Sequence, residues 1–460
     1  MSARGIFGLR CFREWLGLFA EEVLQSVARL ELSFSLSEEC LASVRETLLE
    51  ALQSTARYAM DQAAMRSVGI SVDPSAPRDP GIEDLSALKV LVDALKTRGK
   101  AALDDKAPFL RTELDAKAED CRRALLEMLR RIDEHRSEIE RVLLNGNRFE
   151  TIRSVLRRGS LLYSSDRIVT EIVTDGGCFL YKPRDLRIDQ WFLEFSRPYV
   201  GRLFFVPKAL CCAEGFGFTE YVESESADTL PQTPENAYAL GALYVMIYIA
   251  RAADLHEGNV LVSKGRICLP DLETILLKDK YTQMPSSLKH LTDIFRDLIR
   301  AGEEFFFAGI KDTYRGCMAD REKLSLAVER AGTFWVRDMI RGGAQYAMLA
   351  KVFRQLEGIR SREERLTDED HFRQVLRETA GERHKAFSDA ELAHVTRGSS
   401  MVLTLRAGAR DAYCDGRLLR KDYIPQSPVE KTKSVIHGMT ERELQQFITE
   451  IRRYLDSNEE

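Results

Sequence analysis

Residues 237–250 read AYALGALYVMIYIA, a run without a single charge. It is too short to cross a bilayer, which takes about 20 apolar residues, and it ends at Arg251 and Asp254. A helix that is apolar all round must be buried on every side. The chain therefore has to build a globular core thick enough to surround it. Thr233-Pro234 opens this helix, Thr as N-cap and Pro at the first helical position. The helix leads directly into DLHEGN (254–259), a polar stretch rich in side chains that carry chemistry.

The 460 residues exceed one ordinary core, so two or three domains are expected. Hydrophobic content of 44% with 30% charged residues is that of a soluble globular protein. A net charge of −5 argues against nucleic acid as a partner. Nine Cys without CxxC spacing argue against a zinc site and point to a cytoplasmic chain with reduced thiols. Near the N-terminus, Arg10, Arg13 and Glu14 interrupt the apolar residues, so an amphipathic helix is expected there, not a signal peptide. No run is long enough for a membrane span.

Residues 1–150 are expected to be helical. Leu125, Met128, Leu129, Ile132, Ile139 and Leu143 recur at helical spacing, and Asn145-Gly146 supplies a stop. SVDPSAPRDPGIED (71–84) reads as a loop. The pattern then changes. SLLYSSDRIVTEIVTDGGCFLYKPR (160–184) alternates, with Asp175-Gly176 at a hairpin turn. LFFVPKALCC (203–212) and GFTEYVE (217–223) predict two further strands, with a helix inserted near 189–195; GFGF (215–218) belongs to the strand pattern and is not a nucleotide loop. After DLHEGN come two short strands, NVLVSK and RICLPDLE. The rest, from about 285, is expected to be mainly helical. LTDEDH (366–371) predicts a helix start capped by Thr367, and EKTKS (430–434) a solvated charge run. TERE (440–443) predicts a capping box ahead of an apolar face formed by Leu444, Phe447, Ile448, Ile451 and Leu455. The fold class expected is α+β: a helical N-terminal region (1–150), a β-rich lobe (151–230) and a mainly helical lobe with a C-terminal extension (231–460).

Phosphoryl transfer needs few protein groups: a Lys for nucleotide phosphates, hard oxygen ligands for magnesium, and a carboxylate or imidazole beside the acceptor hydroxyl. Each is present. Lys182 ends the strand CFLYK, Asp254 and His256 follow the buried helix, and Asn259 and Asp271 flank a short hairpin. Singly, each has a bland reading: a solvated Lys, a structural His–Asp hydrogen bond, a turn Asp. Jointly they point to a site. The protein-kinase HRD and DFG motifs and the P-loop are absent. The order D-x-H-x-x-N is instead that of lipid-kinase-like enzymes.

LYKPRDL, GFTEYVE, DLHEGN and PDLETI together resemble the dehydratase domain of class II lanthipeptide synthetases (LanM type), over about 150–460 and most clearly 178–276. The resemblance implies a two-lobed core like that of lipid and protein kinases. It also implies ATP and Mg2+ as cofactors, a leader-bearing precursor peptide as partner, and phosphorylation of its Ser and Thr followed by phosphate elimination. It assigns nucleotide contact to Lys182 and Arg184, with Glu194 as a pairing partner for Lys182. Asp254 and His256 would activate the hydroxyl, Asn259 and Asp271 would hold magnesium with Glu273 in support, and Arg337 would act in elimination. Three departures accompany it. A cyclase domain with zinc-binding Cys and His does not follow, so ring formation is not expected. YSSDR (163–167) stands where glycines are common. In RDMIRGGAQYAML (337–349), Arg337, Arg341 and Tyr346 match the elimination motif, but Gly343 replaces its Thr. Two alternatives stay open: a kinase-fold enzyme acting on another protein or small-molecule hydroxyl without elimination, and a non-catalytic pseudokinase scaffold.

Overall fold

The computed structural model describes residues 3–67, 97–102, 108–158, 168–213, 215–276, 284–338, 340–341, 345–346, 348–349, 362–379, 385–396 and 401–457. The expected loop at 71–84, YSSDR and Gly343 lie outside them. The fold is mixed α+β. It forms two compact units, neither of them one stretch of chain: residues 1–183 with 340–401, and 184–339 with 402–460. Among the described residues no helix is long and apolar enough to cross a membrane.

In the first unit, α1 (Ala3–Ala28), α2 (Glu38–Ser67) and α3 (Pro108–Glu134) pack on one another. After a break at His135, α4 (Arg136–Val142) continues to Asn145 and Gly146, whose positive φ values of 54° and 89° end it where the Asn-Gly pair predicts. The strands are β1 (Ser35–Leu36), β2 (Thr151–Arg158), β3 (Val169–Thr174) and β4 (Cys178–Lys182). β1 pairs parallel to β2, and β2, β3 and β4 pair antiparallel in sequence order. The β3–β4 turn falls at Asp175-Gly176. A Cβ on Gly176 would sit 2.4 Å from the Arg148 carbonyl oxygen, so only glycine fits. α2 lies against β2. Two later helices, Arg362–Thr379 and Ser388–Thr396, complete the unit. Thr367 lies inside the first of these and does not begin it, because the preceding REERL residues are good helix formers and extend the helix upstream.

The second unit is built around the apolar run. α6 (Pro234–Ala250) follows α5 (Arg187–Val200). The Thr233 side chain accepts from the Asn236 N–H with Pro234 in the first turn, and Arg251 closes the helix in a left-handed conformation. α6 is buried along nearly its whole length. α7 (Glu303–Ala319) packs against it so closely that a Cβ on Gly309 would lie 2.0 Å from the Tyr238 carbonyl oxygen. α8 (Pro428–Gly438) carries a complete capping box from Ser427 and Glu430. α9 (Glu441–Ser457) begins with the Glu443 N–H donating to Thr440, and buries the five apolar residues its spacing predicts.

Three groups of strands belong to this unit. The 203–212 run is split at Pro207, which cannot donate to a ladder. β5 (Phe204–Phe205) joins a three-stranded sheet with β8 (Leu261–Ser263) and β9 (Arg266–Cys268), while β6 (Ala209–Ala213) pairs with β7 (Phe216–Glu220). The described residues after 285 are mainly helical, and they also carry a sheet that the sequence did not announce. β10 (Trp335–Asp338), β11 (Leu403–Arg406), β12 (Ala412–Cys414) and β13 (Arg417–Arg420) form an antiparallel sheet. At three or four residues each, these strands are too short to display alternation. Arg337 stands on β10.

Candidate active site

Two motifs separated by ten residues of chain are joined by the backbone. The Ala253 N–H donates to the Thr274 carbonyl at 2.9 Å, and the Thr274 hydroxyl returns a 2.8 Å bond to the Ala253 carbonyl. The Leu276 N–H donates to the Ala250 carbonyl at 2.8 Å. DLHEGN and PDLET are therefore neighbours, the first leaving the end of the buried helix α6 and the second returning to it. The β8–β9 hairpin links them from the other side. Its turn, Lys264-Gly265, has positive φ at both positions, as a tight two-residue hairpin turn requires.

Within DLHEGN the backbone folds tightly. Asp254 takes a left-handed φ of 62°, uncommon for a side-chain-bearing residue and tolerated best by Asp and Asn. The Gly258 N–H donates to His256 Nδ1 at 3.0 Å. A neutral imidazole accepts on one nitrogen only, so its hydrogen sits on Nε2. Nε2 lies 3.9 Å from the Asp254 carboxylate, an ion-pair separation too long for a hydrogen bond. The Asn259 amide nitrogen donates to the Asp254 carbonyl at 2.9 Å, and its 3.3 Å approach to His256 Nε2 is then a contact between two donors. The Asn259 Oδ1 accepts from no described residue. Half of the His256 side chain and a third of that of Asp254 are exposed, so the loop opens to solvent.

The carboxylates beyond the hairpin are held differently. Arg184 binds Asp189 with both terminal nitrogens, at 2.6 and 3.0 Å, and reaches Asp271 Oδ1 at 3.0 Å. Burial opposes its charge, but Asp189 and Asp271 outweigh burial and hold the guanidinium pKa above its ordinary value. Asp189 also accepts from the Leu272 N–H at 3.1 Å, fixing α5 to the PDLET segment. Glu273 pairs with Arg337 at 2.6 Å while its carbonyl accepts the Arg337 N–H at 2.7 Å. Asp185 accepts from the Arg187 backbone and side chain and from the Trp335 N–H.

The structure thus gathers Asp254, His256, Asn259, Asp271, Glu273, Arg184 and Arg337 within one unit. Arg184 engages carboxylates. Glu194 is exposed on α5. Lys182, buried at the end of β4, belongs to the other unit. So does Arg341, whose guanidinium bonds the buried Glu391 at 2.6 Å. Sequence reading missed Asp189 and Asp185. Their one available signal was Asp at the start of a helix beside Arg in KPRDLRID.

A family model described as a domain of unknown function (DUF4135) matches residues 108–302. This domain is found in lanthipeptide-synthetase-like, LanM-related proteins. The match spans Lys182, DLHEGN and PDLET and ends before Arg337. No curated protein matches the chain significantly.

Proposed function

We propose that the chain is an ATP-dependent phosphotransferase acting on Ser and Thr hydroxyls of a peptide, in the manner of LanM-type dehydratase domains. The observation that carries this reading is the pairing of Ala253 with Thr274, which makes neighbours of DLHEGN and PDLET. Two polar motifs fixed at the end of a buried helix and left open to solvent suit chemistry better than structure. The matched family model agrees with the reading at the level of the domain.

In this mechanism Asp254 accepts the proton of the acceptor hydroxyl as its oxygen attacks the terminal phosphorus of ATP, whose bond to the bridging oxygen breaks to release ADP. His256, its Nδ1 held by Gly258, presents Nε2–H toward the same carboxylate and orients the acceptor. The resemblance assigns nucleotide phosphate to Lys182, a residue of the other unit. Asn259 and Asp271 offer amide and carboxylate oxygens, the hard donors magnesium takes, and Asn259 keeps its Oδ1 available by committing its nitrogen to Asp254. Bound there, Mg2+ would neutralise charge on the transferring phosphoryl group. Arg184 positions Asp271, and Arg337 does the same for Glu273.

The proposed reaction stops at the phosphopeptide. Arg337 is committed to Glu273 by side chain and backbone, and Gly343 supplies no hydroxyl. The test is incubation of the full chain with ATP, Mg2+ and a leader-bearing precursor peptide, read by mass spectrometry. Phosphate adducts that persist are expected, and Asp254→Asn lowers their formation by about 10²- to 10⁴-fold, the contribution of a general base. An unmodified peptide would overturn phosphotransfer, and products short of one water would overturn the stop.

A further inference from the structure

The first unit contains a cavity that the proposed chemistry does not use. It measures about 60 Å³ and lies between α2, α3 and the sheet. That is room for a few waters or one group the size of a side chain. Its walls are largely apolar, with Leu48 from α2, Leu125 from α3, and Val155 and Ile168 from the sheet side. Arg157, Thr170 and Tyr181 are among the polar residues of this lining. Side chains alternate along a strand, so Tyr181 faces away from the side of β4 that carries Lys182. The cavity is on the sheet face opposite that lysine.

The Arg157 guanidinium, half-buried, makes no hydrogen bond or ion pair with any described residue. Burial pulls its pKa down, opposed by through-space attraction to Cys121 and Glu50. The neighbouring cations do find carboxylates. Arg158 bonds Glu171 at 2.5 Å, and Arg131 takes Glu127, which also lines the cavity, together with the Tyr181 hydroxyl. A half-buried guanidinium beside largely apolar walls is matched best by an anion. One cation calls for a monoanion, its fork of donors matches a carboxylate, and the apolar walls call for a compact apolar group attached to it.

We propose that this cavity binds a small carboxylate joined to a compact aliphatic group, the carboxylate on Arg157 and the aliphatic part against Leu48 and Leu125. Such a group occurs in a free branched acid and at the C-terminal leucine of a peptide. The site stands or falls independently of the phosphotransfer reading.

The test uses the full chain and four probes: 4-methylpentanoate, its neutral amide, an acetylated tripeptide ending in free leucine, and the same peptide amidated. Calorimetric titration and thermal shift are the readouts. At least one of the two acids is expected to bind and raise the melting midpoint, with its amide at least about tenfold weaker, as loss of a charged hydrogen bond implies. Which acid binds identifies the source. Arg157→Leu abolishes binding and, without probe, raises the midpoint, because an unpartnered half-buried charge is gone. Leu125→Trp abolishes binding by filling the cavity with Arg157 in place. Neither acid binding, an amide binding equally well, or undiminished binding by either variant overturns the proposal.

Discussion

Arg184 and Arg157 are both half-buried arginines, one in each unit, and they differ in what surrounds them. Arg184 has two carboxylates on its guanidinium and its pKa is raised. Arg157 has a cavity and its pKa is lowered. The difference teaches that burial alone does not give a buried cation its role. A cation saturated by carboxylates holds structure and positions acids, whereas one that faces a cavity has its anion still to come. Lys431 is a third case. Burial and the neighbouring cation Arg251 push its pKa down to about 8.

These differences can be broken by substitution. The largest effect is expected at Arg184→Ala, which leaves Asp189 and Asp271 without their cation. It should cost about 3–5 kcal/mol of stability, read by chemical denaturation with tryptophan fluorescence, since Trp191 and Trp335 report on this unit. Asp189→Asn leaves Arg184 with Asp271 and should cost less, about 1.5–3 kcal/mol. If either variant is as stable as the parent, Arg184 is no structural hub. Arg157→Leu should go the other way, stabilising the first unit by about 1–2 kcal/mol, as followed by thermal melting. The smallest effect concerns Lys431. Its folded pKa lies below the unfolded value of about 10.4. Between the two the unfolded chain binds more protons, so stability rises with pH through that window, and the penalty is fully present below about 8. Lys431→Met should flatten that rise in denaturation curves taken from pH 7 to 10.5, and a persistent slope would reassign it.

Local signals were legible wherever a few neighbouring residues decide the geometry. The Thr233 cap, the Asn145-Gly146 stop, the Asp175-Gly176 turn and the apolar face of α9 are such cases. DLHEGN stood out because its polar residues interrupt an apolar context. What stayed hidden depends on partners far along the chain. Asp189 acquires its meaning from the Leu272 N–H, 83 residues away. β10 is a strand only because β11 pairs with it, and a four-residue segment has no period to read. EKTKS looked like a solvated charge run, yet Lys431 is half-buried because α8 packs on α6, which no local pattern announces. The loop was thus visible in the sequence, and the network that holds its carboxylates was not.

The interleaved units carry a consequence for synthesis. β10 leaves the ribosome well before β11, its hydrogen-bonding partner. The roughly sixty residues between them take several seconds to translate at about 5–20 residues per second, and most of them belong to the other unit. During that interval the backbone of residues 335–338 has no partner on its β11 side. The nascent chain therefore exposes a pairing edge beside the future site, a window in which a chaperone or a second nascent chain competes for the same backbone.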